Sequence, residues 1–228
     1  MEVTAATASR PTARATAWGG IVFAVLYVGG IMLMLGPTPD DTNRDRPTKF
    51  ADEWYRVFSD SGKRTQMILG AYVVIVASIA LIIFGSQLRD RLAARGAAGS
   101  GRLTFAGSIL FGALTTAGAI AMAWIPATKS LGDTALPRGE IVYLAPQLAF
   151  GLLLIGGGAG AALMLVSAGI GSIRTDALPT WLGWAAIVIG VIVFALGALF
   201  LPMVLLVLWV LVAATVVLRR PLTAAALL

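Results

Sequence analysis

Five stretches of this chain run for twenty residues or more without a charged side chain: 17–36, 66–87, 103–128, 141–173 and 181–218. A helix needs about 20 apolar residues to cross a hydrocarbon core roughly 30 Å thick, so every run is long enough for a span. The last would extend roughly 57 Å as one helix at ~1.5 Å per residue. One crossing cannot use that length. The run is expected to fold back near LFLPM (199–203), with Pro202 opening a second helix, because proline is tolerated in a first turn. The sequence therefore predicts an all-α, polytopic integral membrane bundle of six transmembrane helices, at about 17–36, 66–88, 103–127, 142–172, 182–199 and 202–218.

Composition agrees with a lipid environment. Charged residues make up 12% of the 228, half the ~25% of ordinary soluble domains. The chain has no cysteine and no histidine. Disulfide and thiolate chemistry are thereby excluded, together with the commonest general base, metal ligand and pH switch. A net charge of +6 raises the question of nucleic acid, but the basic residues flank the apolar runs and do not form a separate basic surface. No nucleic-acid partner is expected.

The charges also suggest an orientation. With the N-terminus in the cytoplasm of a bacterial plasma membrane, the inner segments hold Arg10, Arg14, Arg89, Arg91, Arg95, Arg102, Arg174, Arg219 and Arg220 against Glu2, Asp90 and Asp176. The short 89–102 turn alone carries four arginines, whereas the outer loop 37–64 dilutes six basic residues among six acids. Lys and Arg near span ends favour the cytoplasmic side. Both termini are thus expected inside, as a mobile tail at 1–16 and a short one at 221–228. The first span has a longer apolar core than a signal peptide, and LMLGPTP offers no small-x-small cleavage site, so it reads as a retained anchor.

Residues 152–165, LLLIGGGAGAALML, contain GGGAGA, a match to the dinucleotide-binding turn G-x-G-x-x-A, with Asp176 twenty positions after Gly156. That turn needs a preceding strand in a βαβ unit. Here it lies inside a long apolar run, where a backbone turn would strand polar groups in lipid. Small residues in a membrane helix instead let backbones approach, and Gly156 with Gly160 has the G-x-x-x-G spacing. Gly183, Gly190 and Gly197 repeat every seven residues and predict a second packing seam.

Candidates for chemistry are few, since the proposed spans have no Asp, Glu, Lys or Arg in their interiors. Tyr143 and Gln147 fall on one α-helical stripe with Gly151, Gly158 and Ala162, and Thr115 and Thr116 are placed to face them. Two outcomes are open: ordinary interhelical hydrogen bonding, or a polar-lined pocket for a small molecule below Trp124 and Pro126. No cofactor or metal is expected. In the loop 37–64, Asp41, Asn43, Asp45 and Asp52 resemble a calcium loop, but Arg46 stands where glycine is needed and Asp52 replaces the bidentate Glu. DDTNRD (40–45) is half of a metal–diphosphate motif without its second half.

The same loop holds Phe50, Trp54, Val57 and Phe58 at helical spacing, opposite Lys49, Asp52, Glu53, Arg56 and Asp60. A short amphipathic helix at about 49–60 is predicted, lying on the outer membrane surface, capping the bundle, or offering a partner a docking face. Phe50, Trp54 and Phe58 are expected as interfacial anchors there, as are Trp181 and Trp184 before the fifth span.

The order of an outer loop ending W…FSDSGKRTQMILGAY, an Arg-rich inner turn, LPTWLGW, and a LPM…LWVLV…LRR close resembles a family of six-helix membrane proteins common in high-GC bacteria. The family has no established activity, so the resemblance implies topology and transfers no functional residue. The expected function is a non-enzymatic membrane component, an accessory subunit or homo-oligomer. The alternative is a carrier for an uncharged or lipidic small molecule.

Overall fold

The computed structural model describes residues 10–39, 47–132, 135–137, 139–197, 199 and 201–219. Asp41, Asn43, Asp45, Arg46, Arg220, DDTNRD and the tail 221–228 lie outside the described residues, as do residues 1–9 and the side chains of Arg10 and Arg14. The described chain is all-helical, with α1 (Arg10–Leu35), α2 (Pro47–Ser59), α3 (Ser61–Ala94), α4 (Ala98–Gly132), α5 (Gly139–Phe150), a π-helical turn (Gly151–Gly156), α6 (Gly157–Thr175), α7 (Thr180–Ala195) and α8 (Leu201–Arg219). Four units are long and apolar enough to cross a membrane: Trp18–Leu35, α3, α4 and Ile141–Thr175. The apolar run from Trp181 folds back between Ala195 and Leu201, leaving α7 and α8 as shorter apolar helices.

The helices pack in a closed order, α1–α3–α4–α6–α7–α8 and back to α1. Glycines set the crossings. A Cβ placed on Gly70 would stand 2.8 Å from the Cα of Met34, and one on Gly30 would stand 2.9 Å from the backbone N of Val74. In the same way α4 and α6 touch at Gly107 and Gly160, and α6 and α7 at Gly169 and Gly183. The ring closes at Gly20, whose Cβ would lie 2.7 Å from that of Ala214 on α8. Phe23, Tyr27 and Phe111 fill the space between α1 and α4, with ring centroids 5.1–5.9 Å apart.

The 89–102 segment is more helical than a turn. Only residues 95–97 leave the helices, around Gly96 at φ +89°. Its N–H donates to the Ala93 carbonyl at 3.0 Å, and that of Ala97 to Leu92 at 2.9 Å, satisfying carbonyls at the end of α3. Two side chains then tie elements together at this end, called here the arginine end: one joins α3 to the α6–α7 connection, the other α8 to α7. Arg91, although charged, is buried and donates from Nε to the Ala177 carbonyl at 2.8 Å. Trp209 Nε1 donates to the Leu182 carbonyl at 3.1 Å.

The opposite end is closed by α2. Asp60 caps α3, its carboxylate accepting from the Lys63 N–H at 3.0 Å. Arg64 donates to the last carbonyls of α2, Phe58 at 2.9 Å and Ser59 at 2.8 Å, and from Nε to Ser130 Oγ on α4 at 3.1 Å. One arginine thus joins three helices.

Candidate functional site

The residues proposed as a pocket are spread over two surroundings. Tyr143, on α5, packs edge-on against Phe50 of α2, with centroids 5.8 Å apart. It therefore helps seat the cap. Gln147, one turn further along α5, is half-buried. Thr115 is fully buried on α4, and its hydroxyl lies 3.1 Å from where a Cβ on Gly157 would stand. Thr116 beside it is half-buried. Trp124 is 46% exposed, so it turns away from the bundle and does not cover these groups.

The single stripe expected from Tyr143 to Ala162 is broken by the π-helical turn. A π turn advances the chain by more than an α turn does, so α spacing does not carry across it. Pro146 lies just before it and has no N–H for the Val142 carbonyl, and glycines at 151 and 156 bound it. As a result Gly157, not Gly158, meets Thr115. Gly158 instead faces the α7–α8 turn, 3.4 Å from the Val193 carbonyl oxygen.

Most hydroxyls inside the bundle bond a carbonyl of their own helix, as Ser78 does to Val74 at 3.0 Å and Ser167 to Leu163 at 2.6 Å. Among the described residues, Thr115 Oγ1 and Ser172 Oγ are buried without a partner, and so is Trp54 Nε1. An unpaired buried hydroxyl is costly, and it marks where a ligand's donor or acceptor would gain most.

The glycine seams sort by neighbour. Gly160 meets the backbone of Phe111, whereas Gly156 meets only the side chain of Leu114, at 3.0 Å. Gly183, Gly190 and Gly197 all face the helix carrying 151–175, near Gly169, Ala162 and Leu154 respectively. Gly30, Gly70, Gly107 and Gly169 were not singled out from sequence, since no motif separates them from the chain's other glycines.

The anchor residues also divide. Phe50, Trp54 and Phe58 are buried, Trp54 with 1% exposure, their rings in edge-to-face and tilted contact along α2 at 6.3 and 5.3 Å. The expected interfacial role for these three is corrected: their helix covers α5 and the start of α3, so its apolar face meets protein and not lipid. Trp181 and Trp184 are exposed, at 60% and 57%.

Two open spaces complete the geometry. An apolar slot of about 50 Å³ separates α1 from α8 at Tyr27, Ile31, Met203 and Val207. A polar cleft of about 310 Å³ lies between the end of α1 and α2, bordered by Pro37, Thr38, Arg56 and Lys63. Asp52, the one described member of the calcium-like set, is exposed on α2. Comparison with models of protein families, with curated proteins and with solved structures gave no match.

Proposed function

We propose that this chain is a six-span integral protein of a bacterial plasma membrane, with both termini in the cytoplasm, belonging with the high-GC family it resembles. It serves as a non-enzymatic component that works through contact with a protein partner or a second copy of itself. The observation that carries this reading is how the helices divide their surfaces. Inward faces close on glycine to backbone contact, while large apolar side chains point out, such as Val25 at 65% and Phe194 at 71% exposure. That division suits a bundle whose solvent is lipid, where packing and not water expulsion holds helices together. At 16 residues, α7 reaches roughly 24 Å, which a bilayer accommodates by local thinning or by tilt of its neighbours. Arginines 89, 91, 95 and 102 support a cytoplasmic position for the arginine end.

Native mass spectrometry of the protein extracted gently from its own membrane tests the functional part. A stoichiometric protein partner or a defined homo-oligomer is expected. A monomer carrying one specific small molecule would overturn it in favour of the carrier reading. The unpartnered Thr115 hydroxyl beside Gly157 is the observation that favours that second reading. Under it, Gln147→Leu or Thr115→Val releases the molecule while the bundle stays folded.

A further inference from the structure

We infer that the π-helical turn is a two-register switch: α5 passes between its observed seat and one rotated about its own axis, and the second register lets go of the α2 cap. A π turn holds one residue more than the α turn it replaces, and such turns gather at functional positions. If residues 151–156 took up α hydrogen bonding, that extra residue would turn α5 by roughly 100° and advance it by ~1.5 Å relative to α6. The backbone is set for the exchange. Phe150, Gly156 and Gly157 already hold helical dihedrals, at φ/ψ of −60°/−43°, −66°/−49° and −60°/−41°. The Gly157 N–H donates to the carbonyls of both Leu152 and Leu154, which bracket the Leu153 carbonyl that an α-helix would use. Only hydrogen-bond partners have to change.

Packing around the turn permits the movement. A Cβ on Gly151 would have nothing within 4 Å, and one on Gly156 would meet only the Leu114 side chain. Thr115, fully buried opposite Gly157, has no hydroxyl partner among the described residues in this register. Helix α5 itself packs mainly on α2 and α4. Its seat on α4 is Gly118, where a Cβ would stand 2.7 Å from Leu153 Cγ and 3.0 Å from the Ala149 carbonyl oxygen. A shift of one residue puts Tyr143 and Phe150, both half-buried, where Val142 and Ala149 are now fully buried. Tyr143 then leaves Phe50, its edge-to-face partner on α2. The register of α5 thereby sets whether the cap is held.

The test uses the full chain in detergent micelles, where the absence of native cysteine allows spin labels to be placed in pairs. Labels at Leu148 on α5 and Ile120 on α4, both exposed, report the register by double electron–electron resonance. Ile120 with Ile170 on α6 is the control pair, across a contact that the switch leaves in place. On a helix about 5–6 Å in radius the rotation carries a side chain by about 8 Å. Wild type is therefore expected to show two Leu148–Ile120 distances and one Ile120–Ile170 distance. Deleting Gly151 removes the extra residue and should leave only the distance of the observed seat, with several-fold slower proteolysis at Lys49 on α2. A single Leu148–Ile120 distance in wild type overturns the switch, and so do two distances that persist in the deletion. Collapse to one distance with unchanged cleavage overturns the coupling to the cap. If the deletion does not fold, the wild-type distances decide the matter against the control pair.

Discussion

Gly160 of α6 and Phe111 of α4 meet backbone to backbone: a Cβ on Gly160 would stand 2.7 Å from the Phe111 Cα. Main chain cannot swing aside as a flexible side chain does. Gly160→Ala is therefore expected to lower stability by about 1–3 kcal/mol, the usual range for forced overpacking. Gly29→Ala and Gly151→Ala are the controls, because nothing lies within 4 Å of the added methyl. They should be neutral, or stabilising by up to about 1 kcal/mol through helix propensity. Unfolding titrations in mixed detergent measure all three. Equal effects at Gly160 and Gly29 would show that the crossing is not a close one.

How much of this was legible in sequence depends on which physical rule governed each element. The long helices were, because charge-free length is a local property, although α3 and α4 run on past the charges at Lys63, Arg64, Arg89, Asp90, Arg91, Arg102 and Lys129. The fold-back near Pro202 was legible for the same reason. The identity of the crossing glycines was only half legible: spacing picked out Gly160 and Gly183, but Gly107 and Gly169 acquire meaning from the partner helix. The single stripe drawn from Tyr143 to Gly158 and Ala162 failed on register, since nothing in periodicity announces a π turn after Pro146. Phe50, Trp54 and Phe58 were correctly seen as one apolar face. Whether such a face meets lipid or protein is decided by α5, far along the chain.

Arg91 is the clearest role that sequence did not disclose, because it looked like one arginine among four in a basic turn. Its buried bond to the Ala177 carbonyl predicts that Arg91→Gln costs about 1.5–3 kcal/mol, the range for hydrogen bonds involving a charged group. Arg95→Gln, exposed at the same turn, should cost almost nothing. The same detergent titration separates them, and equal losses would mean the clamp is not structural.

Arg64 is expected to hold the cap. Replacing it with glutamine removes the donors to Phe58 and Ser59 and loosens α2, although Phe50 and Tyr143 still meet edge to face. Limited proteolysis at Lys49 and Arg56 reads the change directly. Several-fold faster cleavage is the expected result, and an unchanged rate would place the cap's hold in the aromatic contacts alone.

Asp60 gives a pH dependence. The Lys63 backbone N–H is the main influence holding its carboxyl below the usual aspartate range, helped by the charges of Lys63 and Arg64. A folded value below the unfolded one contributes stability at neutral pH, which is lost as pH falls through the folded value. The first turn of α3 should therefore loosen only below about pH 4, near where free aspartate titrates. Amide exchange over the first turn of α3, at Lys63 above all, would follow it. Asp60→Asn keeps an N-cap acceptor without the titration and should flatten the response.

The most direct test of the six-span account exploits the absence of native cysteine. Single cysteines at Ser59 on the cap, Ala98 at the arginine end, Leu199 between α7 and α8, and Asp176 between α6 and α7 would be challenged with a membrane-impermeant maleimide. In intact cells, positions 59 and 199 should label, while 98 and 176 should label only in inverted vesicles. Labelling of 199 from the same side as 98 would contradict the α7–α8 hairpin as a pair of spans, and with it the six-helix topology.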